Sequence, residues 1–290
     1  MHKLFAYEIS RMKFRGFWLP LAIMLFSSYI FVMPHVIEFV VSWLNSKFSF
    51  TNALLISLTL IQIISFGAFC LVLQVITMIK IPFFEQYHLV KQPPENFWKK
   101  AANVLGLNYL ILGPLLEFTY ANYDLLSFSI EKYFPSYIEI LRQLIFCMIA
   151  DDFGLYFGHR LLHASGIYIY FHKMHHEYTD LTGYVSGYVH PVEFLINITA
   201  SGLGPMILGK SMHMITVLNW AFYKTSAATD QHSGYDFPWS PYSFLPFSVS
   251  ADFHYDHHQL IKGNYAQGFV YFDYLLNTAI EKPSKTKKLS

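Results

Sequence analysis

Charge is scarce in this sequence. Asp, Glu, Lys and Arg make up 13% of its 290 residues, where an ordinary soluble domain carries about 25%. With 54% hydrophobic residues, that shortage argues against a soluble globule and for an integral membrane protein. An excess of either sign is missing too. The formal net charge is +1, which leaves no electrostatic footprint for a nucleic-acid partner. Cysteine is nearly absent. Cys70 and Cys147 lie far apart in apolar runs, which excludes a disulfide framework and predicts buried free thiols. No C-x-x-C pair and no Cys/His zinc spacing occurs. Internal repeats, low-complexity tracts and linkers of inter-domain length are also missing. The basic N-terminal stretch leads into an apolar run without a small-residue cleavage site, so that run is expected to be a retained anchor.

Long apolar runs are abundant. The clearest is "ALLISLTLIQIISFGAFCLVLQVITMI", residues 53–79, which has no charge and is long enough to cross a bilayer with some tilt. Residues 17–43 read as a first span, kinked at Pro20 and Pro34 and joined to the second around "NSKFSFTN". A third span covers 101–121, with Gly113–Pro114 as the expected kink. A fourth begins near Tyr137 and runs into "LIFCMIADDFGLYFGHRLLH". The apolar segments 194–209 and 212–229 are broken by "GLGP" and "LGKS" and read as a re-entrant or interfacial hairpin, the alternative being two more spans. The expected fold is therefore an all-α integral membrane domain of about four transmembrane helices under a helical histidine cap at the membrane surface. It occupies residues 1–290 as one domain, with 1–136 mainly transmembrane and 137–280 holding the fourth span and the histidine region. Lys and Arg concentrate at Lys3, Arg11, Lys13 and Arg15, at Lys80, Lys91, Lys99 and Lys100, and in the tail "EKPSKTKKLS". The loop "NYDLLSFSIEKYFPS" offers one lysine against Asp124 and Glu131. The positive-inside rule then puts the N-terminus, the 80–100 segment and everything after the fourth span on the cytosolic side.

Histidine is the residue the composition does not explain. Of fourteen histidines, most fall into a pattern. "HRLLH" places His159 and His163 at i, i+4. "HKMHH" places His172, His175 and His176 at i, i+3, i+4, and "HYDHH" repeats that spacing with His254, His257 and His258. On a helix such spacings gather rings on one face. His190 in "VHPVE" and His232 in "QHSGYDFPW" stand between the groups. Neighbouring buried imidazoles without a metal would leave many ring nitrogens unmet, at about 1–3 kcal/mol each. Metal ligation satisfies one nitrogen per ring and leaves the other to a hydrogen-bond partner. So many ligands suit two ions, and imidazole accepts iron, zinc or copper. His2, His35, His88 and His213 read as ordinary packing histidines. Asp152, Tyr156, His159 and His163 form one helical stripe. A buried carboxylate needs a partner, so Asp152 and Tyr156 are expected to orient a ligand ring by hydrogen bonding, the alternative for Asp152 being a cap or ion pair elsewhere. Arg160 and Lys173 point off the ligand faces, toward solvent or lipid headgroups.

The three histidine boxes, with "HKMHHE", "HPVEF", "HSGYDFPW" and "HYDHHQLIKGNYA" in that order, resemble the fatty acid hydroxylase superfamily and its sterol-oxidising branch, the C4-methylsterol oxidases and sterol hydroxylases. The resemblance runs from about residue 150 to 278; further toward the N-terminus only the hydrophobic layout matches. Acyl-lipid desaturases also carry three boxes, but their first is usually one residue longer than "HRLLH". The resemblance implies a dinuclear iron site at the membrane surface, with zinc an alternative occupant, held by His159, His163, His172, His175, His176, His190, His232, His254, His257 and His258. It implies oxidation of a sterol or related lipid by O2, with two electrons from an external NAD(P)H-linked donor such as cytochrome b5 or a reductase. The absence of a nucleotide-binding glycine fingerprint or haem motif in this chain fits an external donor. Three positions depart from the family pattern: Phe253 where a histidine is frequent, Phe272 for tryptophan and Asn277 for glycine.

A different reading makes the chain an accessory or structural subunit of a larger membrane complex, such as a respiratory one, which keeps the metal site without turnover. A lysine-rich tail held in order by a partner would favour it. The final "KKLS" resembles a dilysine endoplasmic-reticulum retrieval signal, centred on Lys287 and Lys288, so the reticulum is the expected location, with the mitochondrial inner membrane as the alternative.

Overall fold

The computed structural model describes residues 2–90, 96–122 and 134–280. Lys91, most of the 122–136 loop and the tail with Lys287 and Lys288 lie outside the described residues, and with them part of the orientation argument and the retrieval signal. Helices α1 (His2–Arg15), α2 (Leu19–Phe31) and α3 (Met33–Asn45) form one almost continuous run. Pro20 and Pro34 each occupy the first turn of a helix, where the missing N–H has no partner to lose, and α2 meets α3 at Val32. Next comes α4 (Phe50–Ile79). Ser49 Oγ accepts the Asn52 N–H at its start, and Lys80 ends it in the left-handed conformation, φ 54°. Thirty residues at about 1.5 Å each span some 45 Å, more than the ~30 Å hydrocarbon core. Its last turns therefore rise into the cap, where Gln74 Oε1 accepts the Tyr184 hydroxyl and Thr77 meets the Tyr235 hydroxyl.

After the short α5 (Pro82–Glu85), the third span consists of α6 (Phe97–Gly106), a π-helical stretch Leu107–Leu112, and α7 (Gly113–Asn122). Pro114 cannot donate to the preceding turn and its ring crowds that turn's carbonyl. The π turn just before it absorbs the mismatch. It also aims buried Asn108 sideways, so that Nδ2 donates to Val189 O at 2.9 Å and Gly187 O at 3.3 Å.

Then follow α8 (Tyr137–Leu162), α9 (Tyr168–Phe171), α10 (Pro191–Leu208), α11 (Met214–Gln231), α12 (Ala251–Leu260) and α13 (Tyr271–Leu275). Four segments are long and apolar enough to cross a membrane: His2–Asn45, Thr51–Ile79, Phe97–Thr119 and Pro191–Ser211. The number four agrees with the sequence reading, but the fourth member differs. The helix opening at Tyr137, which carries Glu139, Arg142, Asp151, Asp152 and Arg160, is not among the four by length and composition, and Pro191–Ser211 is. Residues 194–229 are also not a self-packed hairpin. α10 lies along α8, while α11 packs on α4 and α3. Small residues permit the α8–α10 contact: a Cβ at Gly204 would stand 2.7 Å from Cys147 Cα, and one at Gly154 3.2 Å from Ala200 Cα. Cys147 and Cys70 are buried free thiols.

Helix α1 belongs to the cap. Its buried side is the charged one, Glu8, Arg11 and Arg15, while Phe5, Ile9 and Met12 face outward. Glu8 accepts the Phe247 N–H at 2.7 Å. Arg11 donates twice to Asp236, at 2.7 and 3.0 Å, and once to Asp252 at 3.1 Å. Two of the family departures find a structural reason here. Phe272 stacks on Tyr156 with centroids 5.1 Å apart. Asn277 has φ 54°, and asparagine is among the few non-glycine residues common in that region.

Candidate metal centre

Nine histidines converge, in two groups whose ring nitrogens each lie within 4.8 Å of one another: His159, His163, His172, His176 and His257, and His175, His232, His254 and His258. They come from five places in the chain. His159 lies on the last turns of α8 and His163 caps it. His172 ends α9. His175 and His176 open a 3₁₀ turn, His175–Glu177. His232 caps α11, and His254, His257 and His258 line α12. The expectation that His172, His175 and His176 share one helical face is corrected: the chain breaks after Phe171, and the tight 3₁₀ turn sends the adjacent rings of His175 and His176 to different groups. On α12 the one-turn pair His254 and His258 joins one group while His257 joins the other.

The spacing of the ring nitrogens indicates what could occupy the centre. His159 Nε2 and His176 Nε2 each lie 3.1 Å from His172 Nε2, and His163 Nε2 lies 3.1 Å from His257 Nε2. In the second group His175, His254 and His258 approach His232 Nε2 at 3.2, 2.9 and 3.3 Å. Several of these rings have already committed their proton on the other side. His159 Nδ1 is 2.8 Å from Tyr265 O, His257 Nδ1 2.7 Å from Gly263 O, and His232 Nδ1 2.8 Å from Ala228 O. Donation from Nδ1 leaves Nε2 as a bare lone pair. Lone pairs facing each other at such distances repel unless a cation lies between them, so the donor set fits transition-metal ions. Burial and the neighbouring rings hold His172, His175, His254, His257 and His258 well below the usual histidine range. The same causes bring His176 down to about 3, and burial brings His232 to about 4. The rings are thus neutral, as ligation requires.

The backbone around Gly263 is built for this task. Ile261, Gly263 and Asn264 all have positive φ, and this tight turn after α12 brings the Gly263 carbonyl back onto His257. A Cβ on Gly263 would lie 2.4 Å from Thr278 O, so only glycine fits there.

His190 is placed elsewhere, which corrects the expectation that its ring joins the cluster. It caps α10, its Nδ1 accepting the Val192 N–H at 3.1 Å, and its ring meets Phe171. The His190 ring here takes the place that Ser, Thr, Asp or Asn usually fills at a helix start. Asp152 and Tyr156 also do not touch a ligand ring. Asp152 Oδ1 accepts the Phe269 N–H at 2.7 Å, and the Tyr156 hydroxyl pairs with Thr278 Oγ1 at 2.8 Å. Both pin the 263–280 segment that carries the carbonyl partners of His159 and His257.

The carboxylate at the cluster is one the sequence reading did not assign. Glu193, 2% exposed, places Oε2 2.8 Å from His172 Nδ1, and neither atom has another partner. Its signal was available: a carboxylate opening an otherwise apolar helix needs a buried partner. Glu193→Gln keeps the shape but removes the carboxyl group that faces His172. Metal affinity is expected to fall by about 10- to 100-fold, the usual effect of removing such a support. Titration against a competing chelator measures it, and an unchanged affinity refutes the role.

Beside the cluster is a cavity of ≈ 200 Å³ whose wall includes His175, His232 and Glu193 together with Leu58, Phe194 and Trp220. Helices α4, α7, α10 and α11 supply most of that wall, so the cavity runs from the histidines down among the membrane helices.

Comparison with known proteins places the site within a family. A family model for fatty acid hydroxylases matches residues 144–278, a stretch that contains every clustered histidine. The chain is 36% identical over 168 residues to very-long-chain aldehyde decarbonylase GL1-11 of Oryza sativa subsp. indica, covering 57% of this chain and 62% of that protein. It is 35% identical over 200 residues to methylsterol monooxygenase 2-1 of Arabidopsis thaliana, covering 64% of this chain and 73% of the relative. With methylsterol monooxygenase 1 of Rattus norvegicus it shares 33% identity over 213 residues, 72% of each chain. The match to the aldehyde decarbonylase thus spans less than two thirds of that protein. No solved structure matches.

Proposed function

This chain belongs to the fatty acid hydroxylase family, and from that premise we propose that it is a membrane monooxygenase acting on a sterol or related lipid. The observation that carries the reading is the meeting of nine converging histidines with an apolar cavity that reaches them from the membrane helices. Two iron ions, one held by His159, His163, His172, His176 and His257 and the other by His175, His232, His254 and His258, would supply activation of O2. The carbonyls of Tyr265, Gly263 and Ala228 and the Glu193 carboxylate hold the rings of His159, His257, His232 and His172 in direction, so that these four present their inner nitrogens before anything binds. Leu58, Phe194, Val217 and Trp220 hold the lipid and keep bulk water from the reacting end. The two electrons come from an external NAD(P)H-linked donor, cytochrome b5 or a reductase. Relatives named methylsterol monooxygenase support a sterol over other lipids and, with it, the endoplasmic reticulum as the membrane.

The test is reconstitution of the full chain in lipid nanodiscs with NADPH, reductase and cytochrome b5. Incubation with a methylsterol is expected to yield a product that has gained oxygen, with O2 and NADPH consumed in equal amounts. Metal-loaded protein that oxidises no sterol, acyl lipid or long-chain aldehyde, while co-purifying with partner subunits, overturns the proposal in favour of the accessory-subunit reading.

A further inference from the structure

Asp151 and Lys224 form a buried ion pair, with Nζ 2.7 Å from Oδ2 and side chains 4% and 15% exposed. Ser201 Oγ donates to the other carboxylate oxygen at 2.9 Å. Stability does not require such a pair, because apolar side chains of similar volume in its place are often as stabilising or more so. Its position is what sets it apart. A second cavity, of ≈ 30 Å³, has Asp151, Lys224, Gln231 and Gln267 in its wall, together with Ser248 and Gly268 of the cap. Lys224 and Gln267 also line the larger cavity that reaches His175 and His232, so they stand where the two cavities adjoin. A space of ≈ 30 Å³ has room for a water molecule, and these side chains offer it hydrogen-bond partners. Along α11, Lys224 precedes His232 by about 12 Å, and Ala228, midway between them, lines the same large cavity.

Oxidation of a lipid by O2 consumes protons. One C–H bond becomes C–OH and the second oxygen atom leaves as water, so each turnover takes up two electrons and two protons. Leu58, Phe194 and Val217 on the cavity wall have no exchangeable proton to give. An ammonium has three N–H donors on a flexible four-carbon stem. We propose that Lys224 and Asp151 form a proton relay that carries protons from water in the small cavity, through the larger one, to the histidine centre. Lys224 releases a proton into the larger cavity, where O2 is reduced, and takes the next one from water in the small cavity. Asp151 holds the ammonium in place between transfers. The electrons arrive separately from the external donor and the protons from solvent, which balances the step. The proposal rests on the oxygenase reading only for a metal centre that reduces O2.

The test needs no lipid turnover. Iron-loaded, full-length protein in nanodiscs is reduced under argon and mixed once with O2, while a pH dye follows proton uptake and absorbance follows reoxidation. Lys224→Arg keeps the charge and the partner of Asp151, but a guanidinium gives up no proton. Proton uptake in this variant is expected to slow by about 100-fold, the scale of one proton-transfer group, with metal content and thermal unfolding close to those of the parent. Lys224→Met combined with Asp151→Asn removes the pair as a whole and should be as slow while still folded. Uptake at the parent rate in either variant overturns the relay, and so does a parent that takes up no proton. Slow uptake in both variants, with no oxidised lipid from the parent when sterol and electron donor are supplied, leaves the relay standing and defeats the oxygenase reading. Lipid oxidation that continues at the parent rate in both variants does the reverse.

Discussion

Replacing His172 with alanine is expected to empty one of the two metal positions and to lower turnover by at least about 100-fold, more than loss of a supporting residue usually costs. Among the clustered histidines, His172 is the one whose second ring nitrogen rests on a carboxylate. Its Nε2 lies 3.1 Å from the matching nitrogens of both His159 and His176, and its Nδ1 sits 2.8 Å from Glu193. The substitution therefore removes a ligand and leaves a buried carboxylate without its partner. Metal analysis of the variant should show close to half the parent content, with His175, His232, His254 and His258 still filled. His190→Ala is the control, because His190 lies outside both groups and caps a helix. It should retain its metal and lose only about 1 kcal/mol of stability. Equal metal loss in the two variants would refute the assignment of rings to groups.

Arg11→Ala is expected to destabilise the cap by about 3–5 kcal/mol, the cost of removing one partner from a buried ion pair. Arg11 joins Asp236, which follows His232 in the chain, to Asp252, which opens the helix of His254, His257 and His258. One guanidinium thus holds two ligand-bearing segments in register from a helix at the other end of the sequence. Asp236 already titrates high, at about 6, because burial and the nearby Asp252 outweigh the pull of Arg11. Without Arg11 it should rise further, so the folded variant binds protons that the unfolded chain releases. Stability of the variant then falls as pH rises from the ordinary carboxylate range through and beyond pH 6, and recovers on acidification. Thermal unfolding at several pH values measures both effects. A variant as stable as the parent at pH 8 contradicts the role.

The helical, membrane-bound character was legible because charge scarcity and apolar length are properties of segments. Which segment crosses was harder to read. The helix from Tyr137 looks apolar in outline, but its charges are satisfied inside the protein, Asp151 by Lys224 and Ser201 and Asp152 by the Phe269 N–H. Segment 191–211 contains glycines and Pro205, which suggested a break, yet its Gly204 is there for contact with Cys147. Spacing alone revealed the box histidines. The sorting of neighbours such as His175 and His176 into different groups depends on a 3₁₀ turn that i, i+3, i+4 counting does not see. The hydrogen-bond partners of the rings were least legible. Most are carbonyls at Gly263, Tyr265 and Ala228, and a backbone carbonyl leaves no mark in residue identity. Glu193 did leave one, and it was obscured by the more conspicuous His190 three positions earlier.

The central claim is that these histidines form a two-ion centre. The most direct test is elemental analysis of the full chain purified without added metal. The account predicts close to two iron atoms per polypeptide. Folded protein that purifies with no transition metal, and takes up none when iron is supplied anaerobically, would contradict it.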